Sequence, residues 1–258
     1  MKKPLRILVT LAFLFLLAGC VEINEEIDIS ESGSGKLTVD MDLSKLIEMI
    51  QQYAPKEELE KQFPSQKMDT TIYMKSLVDT SHAIPEEKKK LIRDGNLHVK
   101  MDMAAKEFKT NMFFPFTNLD NLQQLYNGMG DGSLGTEKLF KGLTNKNQNA
   151  SQDTSSGSGF GQFNAIYDFT SKKGLIARKL NPEKWKAFQQ SPQLEQFKQS
   201  AGMGMEVPYT ITIRLPKPVK KIDNPLAKLS EDKKTVTLKY NLMEIFDAPQ
   251  KFEYSIEY

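Results

Sequence analysis

The chain contains few residues of the types that carry out covalent or metal chemistry. It has one cysteine, Cys20, and two histidines, His82 and His98. These do not supply the closely spaced ligands of a zinc site. No serine lies in the Gly-x-Ser-x-Gly turn of the α/β-hydrolases, and residues 157–161 lack the Gly-Lys-Ser/Thr ending of a phosphate-binding loop. The sequence therefore predicts no catalytic residue, no cofactor and no metal site, in a protein that is not an enzyme.

Cys20 stands at the end of an N-terminal segment with the features of a secretory signal. A basic start, including Lys2 and Arg6, precedes an apolar run over residues 7–18, which is shorter than the roughly 20 residues of a membrane-spanning helix. The run ends in Leu17-Ala18-Gly19-Cys20, which resembles the bacterial lipobox, where the cysteine is lipidated after cleavage. We predict a lipoprotein signal peptide over residues 1–19 and lipidation at Cys20. An uncleaved anchor and an incidental cysteine are the alternatives.

The net charge depends on whether this segment is removed. Residues 1–19 contain three basic and no acidic residues, so their loss moves the formal net charge from +2 to −1. A nucleic-acid-binding surface needs clustered basic residues, and nucleic acid is therefore not an expected partner. The expected partners are the membrane, through acyl chains such as palmitate on Cys20, and envelope proteins or lipids.

Three carboxylates follow shortly after Cys20. Glu25, Glu26 and Asp28 resemble half of a calcium shell, but they lie along a predicted strand rather than in a loop. We interpret them as exposed charges of that strand. Acidic residues just after a lipidated cysteine also resemble the surface-export signals of some bacterial lipoproteins, and that alternative stays open.

Hydrophobic periodicity predicts the elements that carry these residues. The 258 residues are 39% apolar and 26% charged, which fits a globular protein with a substantial core. Alternating apolar residues predict hairpins, and apolar stripes at helical spacing separate them. Predicted strands lie near residues 21–30, 37–41, 97–103, 108–114, 163–173, 174–180, 207–215, 236–240 and 252–258. Helices are predicted near 43–50, 119–126, 182–188 and 192–198, with mostly helical pieces over 55–93. Asp42 and Asn181 are predicted helix caps, and Thr117–Asp120 resembles a capping box.

This succession predicts an α+β fold, in which an antiparallel sheet built from hairpins carries helices packed on one face. We expect residues 20–258 to form a single domain, with a flexible polar loop near 143–160. Methionines 101, 103, 112, 129, 203 and 205 cluster with aromatic residues. They are interpreted as core-filling side chains, although soft methionine surfaces also hold apolar ligands.

Several short motifs together resemble the LppM-type domain family of bacterial lipoproteins. They are Cys20, the hairpin around Gly33-Ser34-Gly35, the helix from Leu43, the segment Ile213-Arg214-Leu215-Pro216, Asp223-Asn224-Pro225, and residues 230–238. The similarity covers about two thirds of the chain that follows the signal peptide. The sequence departs from the family at Leu238, where an aromatic residue is common, and in its segments 55–93 and 127–161. The resemblance implies an α+β lipoprotein without an established catalytic site and supplies no ligand residues.

Taken together, these features predict a membrane-anchored lipoprotein of the bacterial cell envelope, in the outer membrane where the cell has two membranes. It would act as a non-catalytic binding or structural module. The alternative is a carrier of an apolar ligand or lipid held between the sheet and the helices.

Overall fold

The computed structural model describes residues 21–53, 67–81, 84–130, 132, 134, 163–191, 194, 198 and 206–258. Cys20, His82, Met203, Met205, the predicted loop near 143–160 and most of the predicted helix over 192–198 lie outside these residues. The described part contains strands β1 (Glu22–Ile29), β2 (Gly35–Asp42), β3 (Lys67–Tyr73), β4 (Asn96–Asp102), β5 (Glu107–Phe116), β6 (Tyr167–Lys172), β7 (Leu175–Leu180), β8 (Pro208–Arg214), β9 (Lys221–Ile222), β10 (Lys228–Leu229), β11 (Thr235–Asn241) and β12 (Tyr254–Glu257).

The α-helices of the described part are α1 (Ser44–Tyr53), α2 (Met74–Val78), α3 (Glu86–Ile92), α4 (Leu119–Gly130) and α5 (Pro182–Gln189). Short 3-10 helices cover Leu242–Phe246 and Pro249–Phe252. No helix in these ranges combines the length and apolar character needed to cross a bilayer.

The described strands form two sheets. The large sheet has the order β10-β11-β8-β1-β2-β5-β4-β3, and the small sheet has the order β6-β7-β12-β9. Neighbouring strands are antiparallel except β1 and β8, which run parallel. β1 therefore lies in the middle of the large sheet, between the hairpin partner β2 and the late strand β8.

Strand alternation gives the large sheet one buried and one polar face. Ile23, Ile27 and Ile29 of β1 are almost completely buried, and Ile211 and Ile213 lie beside them on β8. These side chains share one face because successive residues of a strand point to opposite sides. Polar residues occupy the other face, which we call the outer face; they include Thr38, Asp40, His98, Asn111, Thr210, Thr212 and Thr237.

The buried faces of both sheets belong to one continuous hydrophobic core, which includes Ile27, Ile213, Phe169 and Ile256. Helix α4 stacks Tyr126 on Phe169, with ring centroids 4.1 Å apart. Side chains of α4 also bind the backbone of the edge strand β6: the Asn127 amide exchanges two hydrogen bonds with Phe169, and Gln123 accepts one from Ser171. The helix thus covers backbone groups that an open sheet edge would expose.

The α+β class with antiparallel hairpins is confirmed, and the structure adds that the strands divide into two sheets. The predicted caps also form: Asp42 Oδ1 accepts from the backbone N of Ser44, and Asn181 Oδ1 accepts from Glu183 and Lys184. Met101 and Met103 are core residues that pack with Ile47.

Two local predictions need correction. Residues 67–73 were expected to be mostly helical, but they form the edge strand β3. Their side chains are largely exposed, so the sequence shows no alternation there. The predicted capping box at Thr117–Asp120 is displaced by one residue, because Asn118 Oδ1 accepts from the backbone N of Asn121.

The central position of β8 leads to a stability prediction. Ile211 and Ile213 have no exposed surface, so Ile211→Ala and Ile213→Ala should each lower the free energy of unfolding by about 2–5 kcal/mol. Thr212→Ala, on the outer face, should change it by about 0.5 kcal/mol or less. Urea unfolding of residues 21–258 measures all three, and equal unfolding midpoints would contradict the assignment of the buried face.

Candidate functional site

The predicted lipidation site adjoins the core without a spacer. Cys20 itself is outside the described residues, but the next residue, Val21, is only 2% exposed, and β1 begins at Glu22. Consecutive Cα atoms of a trans peptide are about 3.8 Å apart. Val21 alone therefore separates the predicted lipidation site from the start of the central strand.

The three carboxylates that follow Cys20 do not converge. Glu26 and Asp28 lie on the outer face, where both accept hydrogen bonds from Arg214 on the parallel neighbour β8. Lys36 forms an ion pair with Asp28 at 3.1 Å. Partial burial favours a higher pKa for Asp28, but the contacts with Arg214 and Lys36 outweigh it and lower the pKa below its usual value. These two carboxylates are thus bound by cations of the protein itself.

Glu25 lies on the opposite face and is 3% exposed. The expectation that it is an exposed strand charge is wrong. Glu25 pairs in register with Val39 on β2 and with Ile211 on β8, in the middle of the apolar face. A charged side chain in that position requires partners, because burial of an unpaired carboxylate is unfavourable by many kcal/mol.

The partners of Glu25 connect the two sheets. The Tyr209 hydroxyl donates a 2.6 Å hydrogen bond to Glu25 Oε2 and accepts a 3.4 Å bond from Nη1 of Arg178. Arg178 belongs to β7 of the small sheet and has no exposed surface. Its guanidinium lies 4.0 Å from the centre of the Tyr167 ring, a cation–π arrangement. We call Glu25, Tyr126, Tyr167, Arg178, Tyr209 and Tyr254 the inter-sheet cluster.

Burial dominates the electrostatics of this cluster. It raises the pKa of Glu25, although the Arg178 charge and the hydrogen bond from Tyr209 act in the opposite direction. Burial and the nearby Glu25 carboxylate raise the pKa of Tyr209 and Tyr126 well above 10. The tyrosine hydroxyls therefore remain protonated near neutral pH and are available as hydrogen-bond donors.

Several polar atoms of the cluster have no hydrogen-bond partner among the described residues: Glu25 Oε1, Arg178 Nε and Nη2, and the hydroxyls of Tyr126 and Tyr254. All belong to side chains with at most 4% exposure. A substrate in solution cannot touch these groups in the folded structure. The arrangement instead holds the two sheets together through one polar contact chain inside an apolar core.

Part of this cluster has a signal in the sequence. Glu25 is two residues from both Ile23 and Ile27, so it shares the parity of the apolar face, and strand alternation alone indicates its burial. Arg178 has a weaker form of the same signal: it is two residues from both Ile176 and Leu180, but the apolar Ala177 interrupts the alternation. The packing of the second sheet shows that it is buried.

Of the two histidines, His98 is among the described residues. His98 lies on the outer face of β4, and its Nε2 is 2.8 Å from Asp69 Oδ1. Within the ranges that the structure describes, no group of three or more His, Cys, Asp or Glu is placed to hold a metal ion.

Comparison with known proteins gives one structural likeness. No protein-family model and no curated protein matches the chain. Among solved structures, it is similar to the NMR structure of the folded domain of LppM from Mycobacterium tuberculosis, with 6% sequence identity and a TM-score of 0.34. The match covers 93% of this chain and 89% of that chain. A likeness this distant does not place the chain in a family.

The bridging hydroxyl of Tyr209 provides a test of the inter-sheet cluster. Tyr209→Phe leaves the buried Glu25 carboxyl and Arg178 without their shared partner, so we expect a loss of about 1–3 kcal/mol in the free energy of unfolding. Tyr73→Phe is the matched control, because Tyr73 is 64% exposed. Urea unfolding measures the free energy of unfolding of both variants. A loss for Tyr209→Phe as small as that for Tyr73→Phe would contradict the bridging role.

The raised pKa of Glu25 predicts an unusual pH dependence. The folded state retains the Glu25 proton to higher pH than the unfolded state, whose pKa is near 4.5. The protonated form therefore contributes stability that is lost as the pH rises through the folded pKa. Relative to Glu25→Gln, the unmodified protein should become less stable as the pH increases above about 4.5.

Asp28→Asn is the control with the opposite sign. The pKa of Asp28 is lowered in the folded state, so its contribution is present at neutral pH and is lost as the pH falls below the unfolded value of about 3.9. Free energies of unfolding measured from below pH 4 to neutral pH distinguish the two carboxylates. If the difference in unfolding free energy between the unmodified protein and Glu25→Gln does not depend on pH, the buried environment assigned to Glu25 is contradicted.

Proposed function

We propose that this protein is a lipid-anchored module of the bacterial cell envelope that binds a partner and does not catalyse a reaction. The observation that carries the proposal is the Leu17-Ala18-Gly19-Cys20 motif after a short apolar run, directly followed by a strand in the centre of the fold. The acyl chains on Cys20 would hold the domain at the membrane, in the outer membrane where there are two.

The non-catalytic part of the proposal is supported by the position of the charged groups. The inter-sheet cluster is buried, and the carboxylates of Glu26 and Asp28 on the outer face are bound by Arg214. Catalytic groups must contact a substrate at a suitable protonation state. The unusual carboxyl here, Glu25, is instead enclosed and shared between sheets.

The outer face of the large sheet is the surface that we propose for partners of the module. It lies on one side of an eight-stranded sheet and carries half-buried or exposed hydroxyl, amide and charged side chains. Some are already ordered by cross-strand contacts, such as the 2.6 Å hydrogen bond from Asn111 to Asp40. Such a face offers hydrogen-bonding groups at fixed strand spacing. Envelope proteins are the partner class that suits it.

The carrier alternative receives less support from the packing. An apolar ligand needs internal space between the sheet and the helices. The described side chains there, including Ile27, Phe114, Leu122 and Phe169, pack into one core with almost no exposure. We therefore retain the binding module as the proposal.

Lipidation is the direct test. The protein expressed with its own N-terminus in a bacterium fed labelled palmitate should carry the label and begin at Cys20. Cys20→Ala should abolish labelling and leave an uncut precursor. Intact mass and membrane fractionation measure both outcomes, with Ser32→Ala, at an exposed turn, as the control. Label on the Cys20→Ala protein, or an unlabelled parent protein, would overturn the proposal.

A further inference from the structure

The missing spacer between Cys20 and β1 limits how the domain can sit on a bilayer. Val21 is packed into the core, and only one peptide bond, about 3.8 Å between Cα atoms, joins it to Cys20. An acyl group on Cys20 is therefore attached to the folded body itself. The domain cannot move away from the membrane on a flexible tether.

The strand register shows which part of the molecule lies at this attachment point. Glu22 is paired with Asp42 at the end of β2, and Asp42 with Lys109 near the start of β5. The parallel strand β8 also begins here, beside the end of β11. We call this edge the anchor end; its exposed residues include Glu22, Lys45, Ala105, Lys106, Lys109 and Pro208.

The opposite edge, which we call the distal end, carries the turns that close the same strands. They are the Ser30–Ser34 turn, with Gly33 at φ 83°, and the turn around Lys233 that precedes β11. β1 has eight residues, and a strand rises about 3.3 Å per residue, so the two ends are separated by roughly 25 Å.

We propose that the anchor end of the large sheet rests on the lipid headgroups, and that the distal turns and the outer face remain clear of the bilayer. This inference rests on the proposed lipidation of Cys20. It adds the surface that contacts the membrane and the surface that is left for partners.

The charges of the anchor end indicate how the contact is made. Lys109 lies 3.7 Å from Asp42 and 3.5 Å from Glu107, and Lys106 lies 3.8 Å from Glu48. Lys106 and Lys109 are thus paired with acids rather than free to join a polybasic cluster that binds anionic lipids. Acyl chains supply the attachment, and high salt should not release the protein from membranes.

The experiment uses the full chain, purified from membranes and reconstituted in phosphatidylcholine vesicles that contain headgroup-spin-labelled lipid. Because Cys20 is the only native cysteine and its thiol is acylated, one introduced cysteine can carry a fluorophore. Ala105→Cys and Pro208→Cys label the anchor end; Ser32→Cys and Glu231→Cys label the distal end. All four sites are exposed, so the substitutions should not disturb folding.

We expect strong quenching at residues 105 and 208 and weak quenching at 32 and 231. A flexible Gly/Ser spacer of about ten residues after Cys20, with a reach of roughly 17 Å, should remove this difference while acylation persists. If the acylated protein without the spacer is quenched equally at both ends, the proposed orientation is overturned but the proposed function is not. A mass without acyl chains would overturn the proposed function and the orientation with it.

Discussion

The burial of a carboxyl group on the central strand is the constraint on which the rest of this structure depends. Glu25 cannot occupy the apolar face of β1 without a hydrogen-bond donor and a nearby positive charge. Tyr209 supplies the first from the parallel strand, and Arg178 supplies the second from the other sheet. The packing of two sheets and the parallel pairing of β1 with β8 are thus linked to one side chain.

The same strand connects the interior to the membrane in the proposed function. β1 lies between β2 and β8 in the large sheet, and only Val21 separates it from the predicted lipidation site. An anchor joined directly to a central strand restricts the orientation of the whole sheet relative to the membrane, whereas an anchor on a flexible linker does not. The outer face then stays available while the acyl chains are inserted.

Local patterns predicted much of this fold, and long-range packing supplied the rest. The alternations in β1, β2 and β8, the glycine turn at Gly33 and the asparagine cap of α5 follow from side-chain chemistry over a few residues. The edge strand β3 escaped prediction because its exposed side chains carry no period. The burial of Glu25 was missed because residue type was weighed above its parity with Ile23 and Ile27. Arg178 has the same relation to Ile176 and Leu180, but its contacts with the large sheet depend on packing that no local pattern describes.

A double-mutant cycle tests the central claim most directly. Glu25→Gln, Arg178→Met and the double variant would be compared by urea unfolding at neutral pH. If Glu25 and Arg178 are coupled through Tyr209 across the two sheets, the losses will not add, and the interaction energy should be about 0.5–3 kcal/mol. Losses that add to within about 0.3 kcal/mol would show that the two buried side chains act independently, which would contradict the account.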